Sequence, residues 1–309
     1  MTRDSTRSGV LVVDKGPGAT SFDVVAIARR RLGVRRVGHA GTLDPDATGV
    51  LPVLIAEATK LTPYLVDQEK EYLATVRFGV TTDTHDVGGR VLSEMPVRAI
   101  SSDRLAEACR SLVGRIKQMP PMYSAVHHEG RRLYELAREG IEVERAPREV
   151  VVRSITVENL EGPRATLRVV CGKGTYVRVL AADLGAALGC GGAVERLIRQ
   201  RVGPFELRDA VSWSELLDGG YDLWSRVRPA ETALAGWPVV RLDGRSAAIF
   251  THGQPAPVAP AAARAGGFVR VHDGAGPLIG VGELMADGSQ VKPVRILHAD
   301  RPGTRVLPA

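Results

Sequence analysis

The chain has 309 residues, with 41 Lys and Arg against 35 Asp and Glu, a formal net charge of +6. This length predicts one large domain plus a smaller one, and the basic excess favours a polyanionic partner without requiring one. The three cysteines form no paired motif, so neither a disulfide framework nor a zinc site is expected. No apolar run is long enough for a membrane span or a signal segment, so we expect a cytoplasmic protein.

The first elements follow from apolar runs and capping residues. Polar residues 1–8 predict a loose tail. The β-branched run at 9–15 predicts a strand that ends in the turn-forming letters GPGATS. A helix is expected next, with Thr20 or Ser21 as its N-cap and Gly33 as its end. The end of this helix is rich in arginine, which favours contacts with phosphates.

The middle of the chain alternates strand and helix patterns. The apolar run at 50–56 predicts a buried strand, and a short helix is expected directly after it. Alternating apolar residues at 70–80 predict a further strand. Helices are expected at 103–116 and 129–140, before a strand, strand, turn and helix pattern. Strands joined by short turns predict an α+β fold with a mixed, mainly antiparallel sheet and flanking helices.

The composition changes at about residue 230. Short apolar runs are separated there by Gly and Asp turns, which predicts a small β-barrel. The letters APVAPAAARAGG interrupt these runs and predict a low-complexity loop. The predicted organisation is a tail at 1–8, a main domain at 9–230 and a small domain at 231–309.

The stretch GHAGTLDPDATGVLPV, residues 38–53, holds the first candidate for catalysis. Pro45 forces Asp44 into an extended backbone, and the glycines around them permit a tight bend or a close approach. A carboxylate on a rigid loop before a strand suits catalysis, although an Asp-Pro turn is a common structural feature. Asp46 makes a two-carboxylate hydrolase conceivable, whereas Asp44 alone suits attack at a carbon or removal of one proton.

Further candidates each have a structural alternative. His39 suits a base, an intercalating wedge or a loop-stabilising residue. Tyr72 suits core packing or stacking on a nucleic-acid base. The letters GKGTYVR do not form a P-loop, because Gly174 follows Lys173 where Ser or Thr is required. In that stretch, Arg178 suits bidentate binding of a carboxylate or phosphate, or a surface ion pair.

Several motifs together resemble the bacterial TruB-type pseudouridine synthases, which isomerise the T-loop uridine of tRNA. The resemblance covers about residues 9–210. It is carried, in the family's order and spacing, by GHAGTLDPDATGVLPV, VLVVDKGPGATSFDVV, AEATKL, KEYLATVRFG, TTDTHDVGG, PPMYSAVHHEGRRLYELAR, CGKGTYVRVLAADLG and LIRQRVGPF. One departure is Gly16, since DKGPG stands where the family usually has DKPxG, a change expected to alter only a turn.

The resemblance implies a role for four of the candidate residues. Asp44 matches the catalytic aspartate of the family, and Arg178 matches the arginine that pairs with that carboxylate. Tyr72 matches the tyrosine that stacks on the flipped uracil. His39 matches the histidine that takes the flipped nucleotide's place in the T-loop stack. Under this interpretation Asp46 has no direct role.

The resemblance also implies an outer set of residues and the partners. Lys173 and Tyr176 match neighbouring active-site positions, Leu197 an apolar wall of the pocket, and Asp86 an acid near the site. The small domain at 231–309 resembles a PUA-like RNA-binding module. The implied partner is the T-arm of tRNA, bound by a monomer that needs no metal and no cofactor.

Two other classes of function are weighed against this one. A non-catalytic RNA-binding or RNA-folding protein could use the same scaffold, but the set of Asp44, Tyr72 and Arg178 argues against that as the sole role. A glycoside or nucleoside hydrolase could use Asp44 and Asp46, and it would release free uracil or sugar.

Overall fold

The computed structural model describes residues 7–97, 99–258, 267–274 and 276–298, and it groups the chain into two compact units. Six residues of the predicted tail and most of the predicted low-complexity loop lie outside the described residues. The first unit comprises Met1–Pro45, Val50–Val66 and Gly203–Ala309, and the second comprises Asp46–Gly49 and Asp67–Val202. The boundary that the sequence predicts at residue 230 stays a prediction.

The N-terminal part of the first unit contains three strands and two helices. They are β1 (Gly9–Lys15), α1 (Ser21–Leu32), β2 (Val37–His39), β3 (Thr48–Ile55) and α2 (Thr62–Val66), with a 3-10 helix at Ala56–Leu61. Thr20 caps α1 in a reciprocal capping box with Asp23, and Gly33 ends the helix with a φ of 67°. The cap and the stop therefore lie where the sequence predicts them.

The second unit is built on a mixed sheet. Its strands are β4 (Lys70–Phe78), β5 (Val80–Thr82), β6 (Val91–Glu94), β7 (Gly114–Gln118), β8 (His127–His128), β9 (Arg131–Arg132), β10 (Arg148–Glu161), β11 (Arg164–Cys171) and β12 (Gly192–Val202). Its helices are α3 (Ser102–Ser111), α4 (Leu133–Arg138) and α5 (Val177–Leu188). Strands β12, β4, β11, β10 and β7 follow one another in antiparallel order. Thr48 and Gly49 add the start of β3 in parallel to β12, which makes the sheet mixed.

The two faces of this sheet differ in character. Alternate residues of β4, from Lys70 to Phe78, are buried, and α5 packs on that face. The opposite face carries ion pairs between neighbouring strands, in which Arg168 bonds Glu71 and Glu158. The buried face is therefore the one that can build a pocket, while the charges of the other face neutralise one another.

Two predicted helices are shorter than expected. The helix predicted at 103–116 ends at Ser111, because Gly114 adopts a φ of 108° and the chain continues as β7. The helix predicted at 129–140 begins only at Leu133. The residues before it form the hairpin of β8 and β9, which turns through Gly130 at a φ of 85°.

The C-terminal part of the first unit confirms the predicted small β-domain as a half-barrel. Its elements are β13 (Phe205–Glu206), α6 (Trp213–Leu217), β14 (Val239–Leu242), α7 (Gly244–Thr251), β15 (Ala256–Pro257), β16 (Phe268–Asp273), β17 (Leu278–Leu284) and β18 (Gln290–Ile296). Five strands form one sheet in the order β14-β16-β17-β18-β15. Phe250 of α7 closes the core against apolar residues such as Val271 and Val291.

No helix among the described residues is long and apolar enough to cross a membrane.

Gly49 and Gly38 belong to the same Gly-rich stretch but face different constraints. A Cβ on Gly49 would lie 2.2 Å from the carbonyl oxygen of Arg199, and its φ is 104°. A Cβ on Gly38 would meet no atom within 4 Å.

We expect Gly49→Ala to lower the free energy of unfolding by at least about 2 kcal/mol. Gly38→Ala should change it by less than about 1 kcal/mol. Urea unfolding of both variants checks this, and equal losses would contradict the close approach of β3 and β12.

Candidate active site

Asp44 lies half-buried in the irregular segment between β2 and β3, directly before Pro45. The hydroxyl of Ser21, at the start of α1, accepts a hydrogen bond from the N–H of Leu43 at 2.9 Å. The same hydroxyl donates to the carbonyl of Leu43 at 3.2 Å. One buried side chain thus fixes both polar groups of the residue that precedes Asp44.

The residue that follows Asp44 is held by the turn between β1 and α1. The carbonyl of Pro45 accepts from the ammonium of Lys15 at 2.7 Å and from the N–H of Gly18 at 2.9 Å. The Lys15 ammonium also donates to the carbonyls of Gly16 and Ala19, at 2.9 and 2.7 Å. Lys15 is fully buried, so these carbonyls compensate a charge removed from water.

We call the three residues that hold this segment, Lys15, Gly18 and Ser21, the Asp44 clamp. The clamp binds the backbone on both sides of Asp44, and Pro45 restricts Asp44 itself to an extended conformation. His39 is the last residue of β2, where it lies opposite Val53 of β3. His39 and Asp44 therefore lie on one strand-to-strand segment of the first unit, as the sequence predicts.

The departure at Gly16 has a physical reason that the sequence did not reveal. A Cβ at this position would lie 2.6 Å from two ring atoms of Trp213. The proline of the resembled pattern DKPxG would carry such a Cβ. A larger residue at position 16, in the turn that carries the Asp44 clamp, would therefore require the indole of Trp213 to shift.

In the second unit, Tyr72 and Leu197 share one face of the sheet. Tyr72 of β4 is 8% exposed and lies opposite Arg199 of β12. Leu197 lies opposite Ala74, one step further along the same two strands. Because directly paired residues of antiparallel strands point to the same side, Tyr72 and Leu197 are diagonal neighbours on the buried face.

Arg178 is the second residue of α5, and its side chain is only 6% exposed. The guanidinium donates to the carbonyl of Thr84 at 2.7 Å and to that of Tyr123 at 2.9 Å. It therefore ties together two loops of the second unit that are distant in sequence. The alternative of a surface ion pair is wrong, because this side chain is buried and bonds backbone carbonyls.

The loop between β5 and β6 brings Asp86 to Arg178. Their carboxylate and guanidinium atoms lie 3.7 Å apart, and Asp86 also accepts from the hydroxyl of Thr84 at 2.8 Å. His85, between these residues, has a φ of 61°. Burial, followed by the charge of Arg178, lowers the pKa of His85, so the imidazole is neutral at pH 7. The sequence alone singles out neither His85 nor Thr84. Both lie in the compact TTDTHDVGG motif, which is the signal that could have identified them.

Tyr176 and Lys173 precede α5 and differ in how firmly they are held. The backbone N–H of Tyr176 donates to the side-chain oxygen of Gln118 at 3.0 Å, and the Gln118 amide donates to the Tyr176 carbonyl at 3.3 Å. Gln118 is buried, and its role has no visible signal in the sequence. Lys173 is exposed and pairs with the exposed Asp67 at 2.8 Å, a contact that contributes little stability.

Lys70 shares the buried face of β4 with Tyr72. Its ammonium donates to the carbonyl of Gln68 at 2.7 Å. Burial, and after it the neighbouring charge of Arg199, lowers the pKa of Lys70 from 10.5 to about 8.

Among the described residues, no group of His, Cys, Asp or Glu side chains is arranged to hold a metal ion.

Comparison with known families assigns nearly the whole chain. Residues 29–177 match the TruB family pseudouridylate synthase N-terminal domain. Residues 178–235 match the tRNA pseudouridylate synthase B C-terminal domain, and residues 238–297 match the C-terminal domain of pseudouridine synthase II TruB. The three matches follow one another along the chain from residue 29 to residue 297.

Individual relatives agree with this assignment. The tRNA pseudouridine synthase B of Stutzerimonas stutzeri is 42% identical over 300 residues, which cover 95% of this chain and 96% of the relative. That of Dechloromonas aromatica is 46% identical over 277 residues, or 89% of this chain and 91% of the relative. A solved Cbf5-Nop10-Gar1 complex contains a similar chain, with a TM-score of 0.73 and 27% identity over 96% of this chain and 87% of that one.

The mixed sheet with its C-terminal half-barrel is the fold of a pseudouridine synthase. The chain belongs to the TruB family, and its activity is that of a tRNA pseudouridine synthase, an isomerase. The predicted resemblance, fold class and enzyme class are confirmed. The hydrolase and the purely non-catalytic RNA-binding protein are therefore set aside.

Ser21→Ala tests the Asp44 clamp. The variant removes the hydroxyl and leaves the buried N–H of Leu43 without that acceptor, which should lower the free energy of unfolding by about 1–3 kcal/mol. Because Leu43 precedes Asp44, kcat on tRNA should fall more than the affinity for tRNA. Urea unfolding and steady-state kinetics measure the two effects. Ser225→Ala, which removes an exposed hydroxyl, serves as the control. An unchanged kcat in Ser21→Ala would contradict the positioning role.

Lys70→Met tests the lowered pKa of Lys70. Between about pH 8 and 10.5, the folded chain binds fewer protons at this group than the unfolded chain. The group therefore makes the free energy of unfolding rise with pH across that window. The variant lacks this rise, so its stability should fall further behind that of the wild type from pH 8 to pH 10. Urea unfolding at several pH values measures the difference, and parallel curves would contradict the shift.

Proposed function

We propose that this enzyme converts the uridine at position 55 in the T loop of tRNA to pseudouridine, with Asp44 as the reacting carboxylate. The observation that carries the proposal is the Asp44 clamp. It holds the backbone on both sides of a half-buried carboxylate, and Pro45 disfavours a helical backbone at Asp44. A fixed and accessible carboxylate is what a reaction with one essential acidic group requires.

The reaction exchanges one bond to the sugar for another. The bond between C1′ and N1 of uracil breaks, the base rotates, and a bond forms between C1′ and C5. The proton of C5 leaves, and N1 gains one, so the product is an isomer and the net reaction consumes no co-substrate. A single carboxylate fits this sequence either by adding to a carbon or by removing one proton from the sugar.

The target base must leave the T-loop stack before it can react, which costs a few kcal/mol. We propose that Tyr72 offsets part of this cost by stacking on the flipped uracil, since aromatic stacking contributes about 1–3 kcal/mol per base. Leu197 supports this role as an apolar neighbour on the same face of the sheet. His39 is proposed to take the place of the flipped nucleotide in the T-loop stack.

Arg178 is proposed as the positive partner that pairs with the reacting carboxylate. Its buried guanidinium is fixed by two carbonyl acceptors. Asp86, at 3.7 Å, balances part of this charge. Tyr176 and Lys173 are proposed to contact the substrate beside Arg178, and the firmly held backbone of Tyr176 supports its part.

The proposed partner is the T-arm of tRNA, and the proposed working form is a cytoplasmic monomer without metal or cofactor. The half-barrel at the C-terminus is proposed to act as a PUA-like RNA-binding module. The supporting observations are the names of the similar proteins, which act on tRNA, and the net positive charge of +6.

Asp44→Asn, with Asp46→Asn as a matched control two residues away, tests the proposal. Each variant is incubated with unmodified tRNA, and pseudouridine is mapped by position. Asp44→Asn should lose at least about 10²-fold in rate and still bind tRNA, because the change removes only the reactive group. Asp46→Asn should stay close to the wild type. Full activity of Asp44→Asn, pseudouridine at another position, or release of free uracil would overturn the proposal.

A further inference from the structure

Phe22 at the start of α1 is unusually exposed for an aromatic residue. It is 66% exposed, more than any other large hydrophobic side chain in the described part of the chain. Single exposed apolar side chains are common on protein surfaces, so the meaning of Phe22 depends on what lies beside it. The start of this helix is stabilised, because Thr20 and Asp23 form a capping box.

The position of Phe22 is tied to the proposed reacting carboxylate. Phe22 directly follows Ser21, whose hydroxyl bonds both polar backbone groups of Leu43. Leu43 in turn directly precedes Asp44. A substrate whose reacting nucleotide lies at Asp44 therefore passes close to the start of α1, so the flanking nucleotides are within reach of this helix.

The same face of α1 carries a positive charge. Residues four and eight positions after Phe22 belong with it to one broad face of an α-helix. These residues are Ala26 and Arg30, both exposed. We call Phe22, Ala26 and Arg30 the α1 face. At 1.5 Å per residue, Phe22 and Arg30 are separated by about 12 Å along the helix axis.

The arginines around Arg30 have other tasks. Arg31 donates to the carbonyls of Leu216 and Tyr221, at 2.7 and 2.6 Å, and so holds the end of α6. Arg29 donates to the carbonyl of Val37 at 3.4 Å. The arginine-rich segment that the sequence predicts as a phosphate contact is thus partly structural, and exposed Arg30 is the member that lies on the α1 face.

The two ends of the α1 face suit different parts of a nucleic acid. Asp23 is next to Phe22, and hydrogen bonds from Thr20 lower its pKa, so it stays ionised and disfavours a phosphate at that end. An uncharged base or sugar is compatible with Phe22. Arg30, at the other end, is suited to a phosphate.

We infer that the α1 face binds the tRNA strand next to the target uridine, with Phe22 stacked on an unpaired base and Arg30 on a phosphate. This inference rests on the proposed role of Asp44, because that role places the reacting nucleotide beside α1. It gives Phe22 a role as a substrate contact, whereas the sequence predicts contacts of α1 with RNA only from its arginines.

Phe22→Ala, Phe22→Trp and the control Leu217→Ala test the aromatic contact. Leu217 is 52% exposed and belongs to the same unit. Phe22→Ala should raise KM for unmodified tRNA about tenfold, which corresponds to the loss of one base stack. Phe22→Trp should restore KM to near the wild-type value, and Leu217→Ala should not change it. Thermal unfolding midpoints of all three should match the wild type, since both side chains are exposed. A wild-type KM in Phe22→Ala, or no rescue by Trp, overturns the stacking contact.

Arg30→Ala, with exposed Arg110→Ala of α3 as control, tests the phosphate contact. The dissociation constant for tRNA is measured at several salt concentrations. Loss of one phosphate contact should lower the slope of log affinity against log salt by about 1 in Arg30→Ala and leave it unchanged in Arg110→Ala. An unchanged slope in Arg30→Ala overturns this contact.

The two proposals fail in different ways. Full activity of Asp44→Asn overturns the role of Asp44 and, with it, the argument that places the target nucleotide beside α1. An inactive Asp44→Asn together with wild-type kinetics and salt slope in the Phe22 and Arg30 variants overturns the α1 face alone.

Discussion

The candidate site depends on the hydrogen bonds that the buried ammonium of Lys15 donates. The charge of a lysine removed from water must be compensated, and here the Lys15 ammonium donates hydrogen bonds to three backbone carbonyls. Two of these carbonyls belong to the turn after β1, and the third belongs to Pro45. The need to satisfy one buried charge therefore joins the N-terminal turn to the residue that follows Asp44. A movement of Pro45 would break one of these three hydrogen bonds.

Arg178 applies the same principle in the second unit. Its buried guanidinium bonds the carbonyls of Thr84 and Tyr123, which belong to loops almost forty residues apart in the chain. Gln118 does the same as a neutral group for the start of α5. In both units, buried polar side chains hold irregular segments that have no strand or helix to order them. The backbone beside Asp44 and that of Tyr176 are held in this way.

The sequence predicts the parts of this arrangement that local chemistry decides. The cap and stop of α1, the strand at β4 and the extended backbone of Asp44 follow from residues adjacent to each feature. It does not predict which distant carbonyl a buried Lys15 or Arg178 binds, because that choice depends on packing between segments far apart in the chain. The early end of α3 was missed for a related reason, since the positive φ of Gly114 is decided by the pairing of β7.

Some arginines of this chain form ion pairs within the structure and are therefore poorly placed to bind a phosphate of the substrate. On the exposed face of the central sheet, Arg168 and Arg201 bond Glu71, Glu158 and Glu69. These arginines add to the net charge of +6, yet their neighbours cancel it locally, so this face offers little attraction to a phosphate backbone. The useful positive charge is the part that is exposed and not matched by a carboxylate beside it. An arginine-rich sequence therefore overstates the RNA-binding surface, and only the partners of each side chain reveal which arginines remain for the substrate.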